Sequence, residues 1–299
     1  MKRLFYFIFF LFLLLLLLCY PVACISYGKK GLLLWFYKML PTLFPFMVIT
    51  GILVRLNLTS YFPSLRVYVI LMGFLCGFPL GAYTAVTMYR ENQITKEEAQ
   101  YLISFTNNLG PAFFLSYVLP TFHLTPIFPF LIGMYGIPLF YGFILRYTKY
   151  KNCVFSTQTK KGTCSLSVAI DSSITDSITA ITKLGGYMIL LETLYIVPEL
   201  FTGLLGRWFS FSNSFLNFLQ AFLCCSLEIT GGISAMQPFP AIWTLCLLPL
   251  GGLSCLLQAG SILSQAKLPI FPYLRHKVIQ TLLSVFYYAF LIFSGFLPK

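Results

Sequence analysis

The chain has 299 residues, of which 58% are hydrophobic and only 9% are charged. Because a soluble globular domain carries about a quarter charged residues, this composition excludes a protein whose main solvent is water. The 20 Lys and Arg residues outnumber the 8 Asp and Glu residues, which gives a net charge of +12. The basic residues lie in short loops between apolar runs, where they retain loops in the cytoplasm and contact anionic lipid, so we expect no nucleic-acid partner.

The N-terminus combines two basic residues, Lys2 and Arg3, with an apolar run from Leu4 to Leu18. This pattern is typical of a signal peptide or of a first membrane helix. The sequence Pro21-Val22-Ala23-Cys24 is a poor lipoprotein-type cleavage site, because proline stands where an aliphatic residue is needed. We therefore predict an uncleaved membrane helix over residues 1–24.

Nine apolar stretches follow one another along the chain, and a membrane-spanning helix needs about 20 mostly apolar residues. Their approximate bounds are Leu4 to Tyr20, Gly31 to Leu56, Val67 to Met88, Ala99 to Phe122, Pro126 to Thr148, Thr175 to Phe201, Phe215 to Met236, Pro240 to Leu263, and Tyr273 to Phe296. The fold class predicted from them is all-α, a polytopic membrane protein with about seven to nine apolar helical segments.

The basic loop from Arg146 to Lys161 tests the topology, because the positive-inside rule places it in the cytoplasm. With a cytoplasmic N-terminus and five preceding spans, the loop would lie outside. A re-entrant hairpin at Val67 to Met88 would restore its position. Three glycines and a proline fall within residues 73–81 and disfavour a continuous helix there. The alternative is a kinked spanning helix, since small residues also permit close helix packing.

A second Gly-rich interruption at residues 250–260 resembles residues 73–82, and residues 183–186 resemble residues 38–41. Interrupted helices in corresponding positions of two halves indicate a transport-type site at a repeat interface. The predicted organisation is an N-terminal membrane helix at 1–24, a first repeat at 25–148, a basic cytoplasmic loop at 149–170 and a second repeat at 171–299.

Polar residues inside apolar segments mark candidate functional positions, because they are costly in hydrocarbon. Glu228 and Thr230 precede a Gly-Gly pair that would break a helix and free carbonyl groups, which suits a cation or a polar solute. Asn107 and Asn108 precede Gly110-Pro111, where a backbone carbonyl is again left open. The alternatives are an interfacial helix end at Glu228 and asparagines that merely bridge neighbouring helices.

Enzyme signatures are absent from the sequence. The two histidines, His123 and His276, form no HExxH pattern, and there is no GxSxG or Walker phosphate loop. We predict that the chain is not an enzyme and needs neither a metal nor an organic cofactor. Asp171 and Asp176 are expected to cap a helix or to lie at the membrane interface.

Several motifs occur together after the first helix. They are Leu40-Pro41-Thr42-Leu43-Phe44-Pro45-Phe46, Cys76-Gly77-Phe78-Pro79-Leu80-Gly81-Ala82, Thr95 with Glu98-Ala99-Gln100, Ser104-Phe105-Thr106-Asn107-Asn108 with Gly110-Pro111, Leu227-Glu228-Ile229-Thr230, and Gly251-Gly252-Leu253-Ser254 with Gln258. With them the chain resembles the sporulation integral membrane proteins of the YlbJ type, in the nucleoside-recognition or Gate domain group.

This resemblance implies a two-repeat membrane domain akin to the core of concentrative nucleoside carriers and a role in endospore formation. Family members of this kind are associated with movement of dipicolinic acid, a small aromatic dicarboxylate, from the mother cell toward the forespore. One departure concerns the solute: Tyr83 stands where a lysine is expected in many relatives.

The leading hypothesis is a transporter for a small anionic or nucleoside-like solute in the cell membrane, and the resemblance suggests the outer forespore membrane. Glu228 is the candidate site for a coupling proton or Na⁺. The candidate solute contacts are Gly77, Phe78, Pro79, Asn107, Asn108, Thr230, Ser254 and Gln258. The different-class alternative is a non-transporting membrane scaffold for spore assembly. Expected partners are the lipid bilayer and the solute, with a second copy or other sporulation membrane proteins left open.

Overall fold

The computed structural model describes residues 2–153 and 164–295, so the centre of the predicted basic loop and the last four residues of the predicted second repeat lie outside the described residues. Within these ranges every regular element is a helix. The helices are α1 Lys2–Cys19, α2 Pro21–Arg55, α3 Leu65–Cys76, α4 Leu80–Arg90, α5 Lys96–Thr106, α6 111–121, α7 Ile127–Tyr147, α8 Leu166–Thr193, α9 Ile196–Trp208, α10 Asn213–Leu227, α11 Ile229–Met236, α12 Ala241–Leu247, α13 Gly252–Gln265 and α14 Ile270–Phe293.

Five helical segments in the described ranges are long and apolar enough to cross a membrane. They are Pro21–Arg55, Ile127–Tyr147, Leu166–Trp208, Ala241–Gln265 and Ile270–Phe293, and three shorter apolar helices accompany them. The chain is therefore a polytopic all-α membrane protein. By length and composition the described ranges hold five spanning candidates, where the sequence predicted seven to nine apolar segments.

Large apolar side chains cover the outside of the bundle. Phe140, Phe286 and Phe293 are 65%, 71% and 91% exposed, and nearly all of α1 is exposed. Soluble monomers rarely expose continuous apolar surface on this scale, so this outer surface suits contact with lipid tails.

Helices α3 and α4 form a hairpin, which we call the first hairpin. Gly77 ends α3 with a φ of +81°, a conformation that favours glycine. Directly after α4, the Gln93 side chain donates to the carbonyl of Val54 (2.6 Å) and accepts from Thr59 Oγ1 (3.4 Å), and both partners precede α3. A continuous helix over 65–90 would separate these ends by about 39 Å, so the chain must reverse.

Helices α10 and α11 form the second hairpin, where the sequence predicted one apolar segment from Phe215 to Met236. The reversal occurs at Glu228, whose extended backbone (φ −137°, ψ 117°) interrupts the helix. The rings of Phe218 and Phe239 are 5.4 Å apart, whereas a continuous helix would separate these residues by about 30 Å.

The long helices pair in antiparallel fashion. Near the start of α2, Gly28 faces Thr193 at the end of α8. Toward the other end, Arg55 at the last residue of α2 donates to Ser173 Oγ at 2.9 Å. Helices α7 and α14 run oppositely as well, because Tyr287 donates to the carbonyl of Pro129 and Tyr141 is hydrogen-bonded to His276.

Two further helices are interrupted. Residues 107–110 separate α5 from α6, and residues 248–251 separate α12 from α13, where Gly251 has a φ of +75°. We call these segments the first break and the second break.

The two ends of the bundle differ in charge. One end, which we call the basic end, holds an ion-pair cluster in which Asp176 contacts Arg55 (2.5 Å) and Arg90 (3.3 Å). These ion pairs link α2 and α4 to α8. Because Asp176 lies ten residues inside α8, it does not cap this helix. The opposite end is the one where α2 begins and α8 ends, and we call it the cavity end after the cavity described below.

Candidate functional site

The tips of both hairpins lie against the second break. The first tip consists of Gly77, Phe78 and Pro79, and the second tip is Glu228. A Cβ atom built on Gly251 would lie 3.0 Å from Phe78 Cζ, and one built on Gly252 would lie 3.3 Å from the backbone N of Ile229. The two chain reversals and the interrupted helix therefore meet at one place.

The first break places its two asparagines against α14. Asn107 Nδ2 donates to Tyr273 Oη at 2.9 Å, and Asn107 Oδ1 accepts from the Ala82 backbone N at 3.3 Å. Asn108 Nδ2 donates to the Phe105 carbonyl at 2.6 Å. Both side chains are fully buried, so the predicted polar cluster exists, but protein groups already occupy its amide hydrogen bonds.

Lys277 completes this cluster, and it was not among the predicted site residues. Its side chain is fully buried, and Nζ donates to Asn108 Oδ1 (2.9 Å) and Gln280 Oε1 (3.3 Å). The ammonium also lies 4.9 Å from the ring centre of Phe78 and 5.9 Å from that of Tyr273. No ion pair joins it to a carboxylate of the described residues.

The sequence did contain a signal for Lys277. By its position, Lys277 resembles part of a basic helix start together with Arg275. However, α14 begins at Ile270, so Lys277 lies about 10 Å along the helix at 1.5 Å per residue. Its enclosure comes from the side chains that contact it, since Val278, the next residue of the helix, is 50% exposed.

Glu228 lies at the centre of a second cluster and is buried to 1% exposure. Its Oε2 accepts from the Gly231 backbone N (2.7 Å), and its Oε1 accepts from Ser254 Oγ (3.5 Å). Tyr195 Oη donates to the Glu228 carbonyl at 2.8 Å. Thr230 lies beside this carboxylate, and its backbone carbonyl accepts a hydrogen bond from Tyr117 Oη. Three predicted residues, Glu228, Thr230 and Ser254, are therefore brought together here.

Gly77, Pro79 and Gln258 are the predicted residues that remain. Pro79 and Gln258 line a crevice of only about 10 Å³ beside α8, together with Lys183. Gly77 packs so tightly against the first break that a Cβ atom would lie 2.2 Å from the Gly110 backbone N. Its position is therefore explained by packing, and it has no side chain to offer a solute.

A large cavity of about 1240 Å³ enters from the cavity end. Its lining includes Lys30, Lys38, Tyr117, Glu192, Tyr195 and Gly231. In the described part of the chain, none of the predicted site residues lines this cavity, although Gly231 and Tyr195 both contact Glu228. The cavity floor therefore reaches the second tip from one side.

Comparison with known proteins gives one partial match. No family model matches the chain, and no solved structure matches it. The chain is similar to the sporulation integral membrane protein YlbJ of Bacillus subtilis (strain 168), with 31% identity over 110 residues. The match covers 32% of this chain and 27% of that relative, so it spans about a quarter of the relative's length. It confirms the resemblance to YlbJ-type proteins, and the chain is a multi-pass membrane protein related to a sporulation protein.

Proposed function

We propose that the chain is a sporulation-associated membrane transporter for a small anionic solute, with nucleoside-like solutes as a second class. The observation that carries this proposal is the meeting of two hairpin tips at one interrupted helix. Irregular backbone at membrane depth is tolerated where protein or a watery cavity solvates it, and transporters build their sites from such segments.

The order of elements supports an inverted repeat. Each half contains a long helix, a hairpin, an interrupted helix and a second long helix, with α9 as an addition in the second half. Because α2 and α8 are antiparallel, the hairpins that follow them start from opposite ends of the bundle. On this basis the first tip corresponds to Glu228, and the first break corresponds to residues 248–251. This pairing differs from the sequence pairing of residues 73–82 with 250–260.

The buried ammonium supports an anionic solute. A charge removed from water is costly unless another charge or several hydrogen bonds compensate it. Lys277 contacts amide oxygens and aromatic rings, and the ion pairs of the described ranges do not include it. A carboxylate placed beside Phe78, Asn107 and Asn108 would supply the missing negative charge. In the proposed site, Thr230, Ser254 and Gln258 complete the contacts from the second half.

The distribution of basic residues supports an orientation. The basic end and its neighbouring loops carry most of the lysines and arginines near helix ends, namely Arg55, Arg66, Arg90, Lys96, Arg146, Lys149, Lys151, Lys267 and Arg275. The positive-inside rule places this end in the cytoplasm, so the large cavity opens to the opposite side. We place the protein in the cell membrane of a sporulating bacterium, at the outer forespore membrane.

Solute exchange by the purified full chain tests the proposal. Proteoliposomes loaded with unlabelled dipicolinate or uridine should take up the same labelled solute by counterflow, and liposomes without protein should not. The substitution Lys277→Met should reduce anion counterflow about tenfold or more, because a hydrogen bond to a charged group contributes about 1.5–3 kcal/mol.

The matched control is Lys96→Met, which removes an exposed lysine at the start of α5. It should leave counterflow unchanged. Reconstituted wild-type protein that exchanges neither solute would contradict the transporter proposal and would favour a membrane scaffold. Equal counterflow in wild type and Lys277→Met would contradict the anion site alone.

A further inference from the structure

Glu192 is a buried acid that the proposed solute site does not use. It is the penultimate residue of α8, it is 1% exposed, and it lines the floor of the large cavity. Within the described ranges, its Oε1 has no hydrogen-bond partner. A buried carboxyl oxygen without a partner is unusual, because no hydrogen bond compensates for the hydration that the oxygen loses.

Glu192 and Glu228 converge on Gly231 from two sides. Glu228 Oε2 accepts from the Gly231 backbone N at 2.7 Å, and a Cβ atom on Gly231 would lie 2.5 Å from Glu192 Oε1. The glycine therefore leaves room for the second carboxyl group. Two carboxyl groups that share a buried site resist simultaneous ionisation, so such a pair readily retains one proton.

The titratable groups that face Glu192 in the described ranges include no buried cation. The titratable groups that face it from neighbouring elements are Lys30 on α2, Tyr117 on α6, Tyr195 after α8, Cys224 on α10 and Glu228 at the second tip. Lys30 is exposed in the cavity, where water solvates its ammonium. It is therefore a weak counter-charge for two enclosed acids.

The groups that contact the carboxylates favour a proton over a metal ion. Gly231 N–H and Ser254 O–H both donate hydrogen bonds to Glu228. Such donors compete with a cation for the carboxylate oxygens. The described residues also contain no group of three or more His, Cys, Asp or Glu side chains that could hold a metal ion.

We propose that Glu192 and Glu228 form a proton-binding site that couples solute movement to a proton gradient. This inference rests on the proposed transport function. Cavity water brings a proton to the ionised Glu192 carboxylate, which becomes a neutral carboxyl group. Release of the same proton after the cavity closes returns the carboxylate. When one proton moves together with a solute, its charge cancels one negative charge of that solute.

Two assays in the same proteoliposomes separate coupling from transport. Counterflow at equal pH needs solute exchange only, whereas net uptake under a pH gradient needs the proton site. For one proton per solute, each pH unit supports about a tenfold change in accumulation. Wild type should show both activities. Glu192→Gln should retain counterflow within about twofold and lose the response to the pH gradient.

Glu199→Gln is the matched control. Glu199 is an exposed acid at the same end of the bundle, hydrogen-bonded to Tyr27 at 2.9 Å, and its replacement should leave the response to the pH gradient intact. A Glu192→Gln protein that still follows the pH gradient would overturn the inference. Wild-type uptake driven by a Na⁺ gradient and indifferent to pH would also overturn it. Absence of wild-type counterflow would instead overturn the transport function, and the coupling inference with it.

A measurement on the wild-type chain keeps the inference testable if the variant folds poorly. Infrared difference spectra recorded across a pH titration should show a carboxylic-acid C=O band that shifts in D₂O. Glu192→Asp, which keeps the acid, should retain the band, and Glu192→Gln should lose intensity. A wild-type spectrum without a titrating carboxylic-acid band would contradict a proton-binding pair.

Discussion

At the residue scale, small residues decide where polar side chains can meet. Glu228 was found from the sequence because the glycines beside it indicate a helix break, and the structure places it at a hairpin tip. Lys277 was missed because no local pattern distinguishes a buried lysine from a basic helix start. Its enclosure comes from contacts with Asn108 and Phe78, which lie more than 160 residues away along the chain.

The substitution Gly231→Ala tests the close approach of the two carboxyl groups. Its Cβ atom would lie 2.5 Å from Glu192 Oε1 and 3.3 Å from Tyr195 Oη, so Glu192 must move. We expect a lower midpoint of thermal unfolding in detergent than for Gly186→Ala, because both variants gain the helix propensity of alanine and only Gly231→Ala also displaces the buried Glu192 side chain. Gly186→Ala is the control, since nothing lies within 4 Å of its Cβ position. Equal midpoints for the two variants would show that the space beside Glu192 is not filled.

At the element scale, apolar composition located the helical segments, but it did not give their direction. The sequence interpretation of Val67 to Met88 as a hairpin rested on glycine, proline and charge placement, and the contacts of Gln93 show a reversal there. The segment from Phe215 to Met236 contains a similar reversal, which apolar composition concealed. The Gly-Gly pair after Thr230 indicated a helix break, but it did not indicate that the chain reverses there, because the helices on both sides remain apolar.

Accessibility of introduced cysteines tests the direction of both hairpins. In a background with Cys19 and Cys164 replaced by serine, Tyr61→Cys and Glu91→Cys flank the first hairpin, and both positions are exposed. A membrane-impermeant maleimide should label both from the cytoplasmic face. The second hairpin serves as the internal control: Phe211→Cys and Gln237→Cys should both label from the opposite face. Labelling of either pair from two different faces would contradict a hairpin and indicate a crossing.

At the scale of the whole molecule, the two ends are unequal. A cavity of about 1240 Å³ reaches the second tip from the cavity end, whereas the crevice beside Pro79 toward the basic end measures about 10 Å³. The ion pairs of Asp176 with Arg55 and Arg90 hold α2, α4 and α8 together at that closed end. The sequence predicted two halves around a polar centre, but it could not predict this inequality, which depends on long-range packing between helices.

Alternating access predicts that the two openings respond in opposite directions. Ser234 lines the large cavity and Ser261 lines the small crevice, so a cysteine at each position reports one side. Conditions that slow maleimide labelling of Ser234→Cys, such as saturating solute with a pH gradient, should speed labelling of Ser261→Cys, because closing one path opens the other. A cysteine at the exposed residue Ser60 should label at a constant rate. A rigid scaffold would leave both labelling rates unchanged under every condition. Labelling rates that rise or fall together would indicate loosening of the whole bundle instead of a rocking motion between its halves.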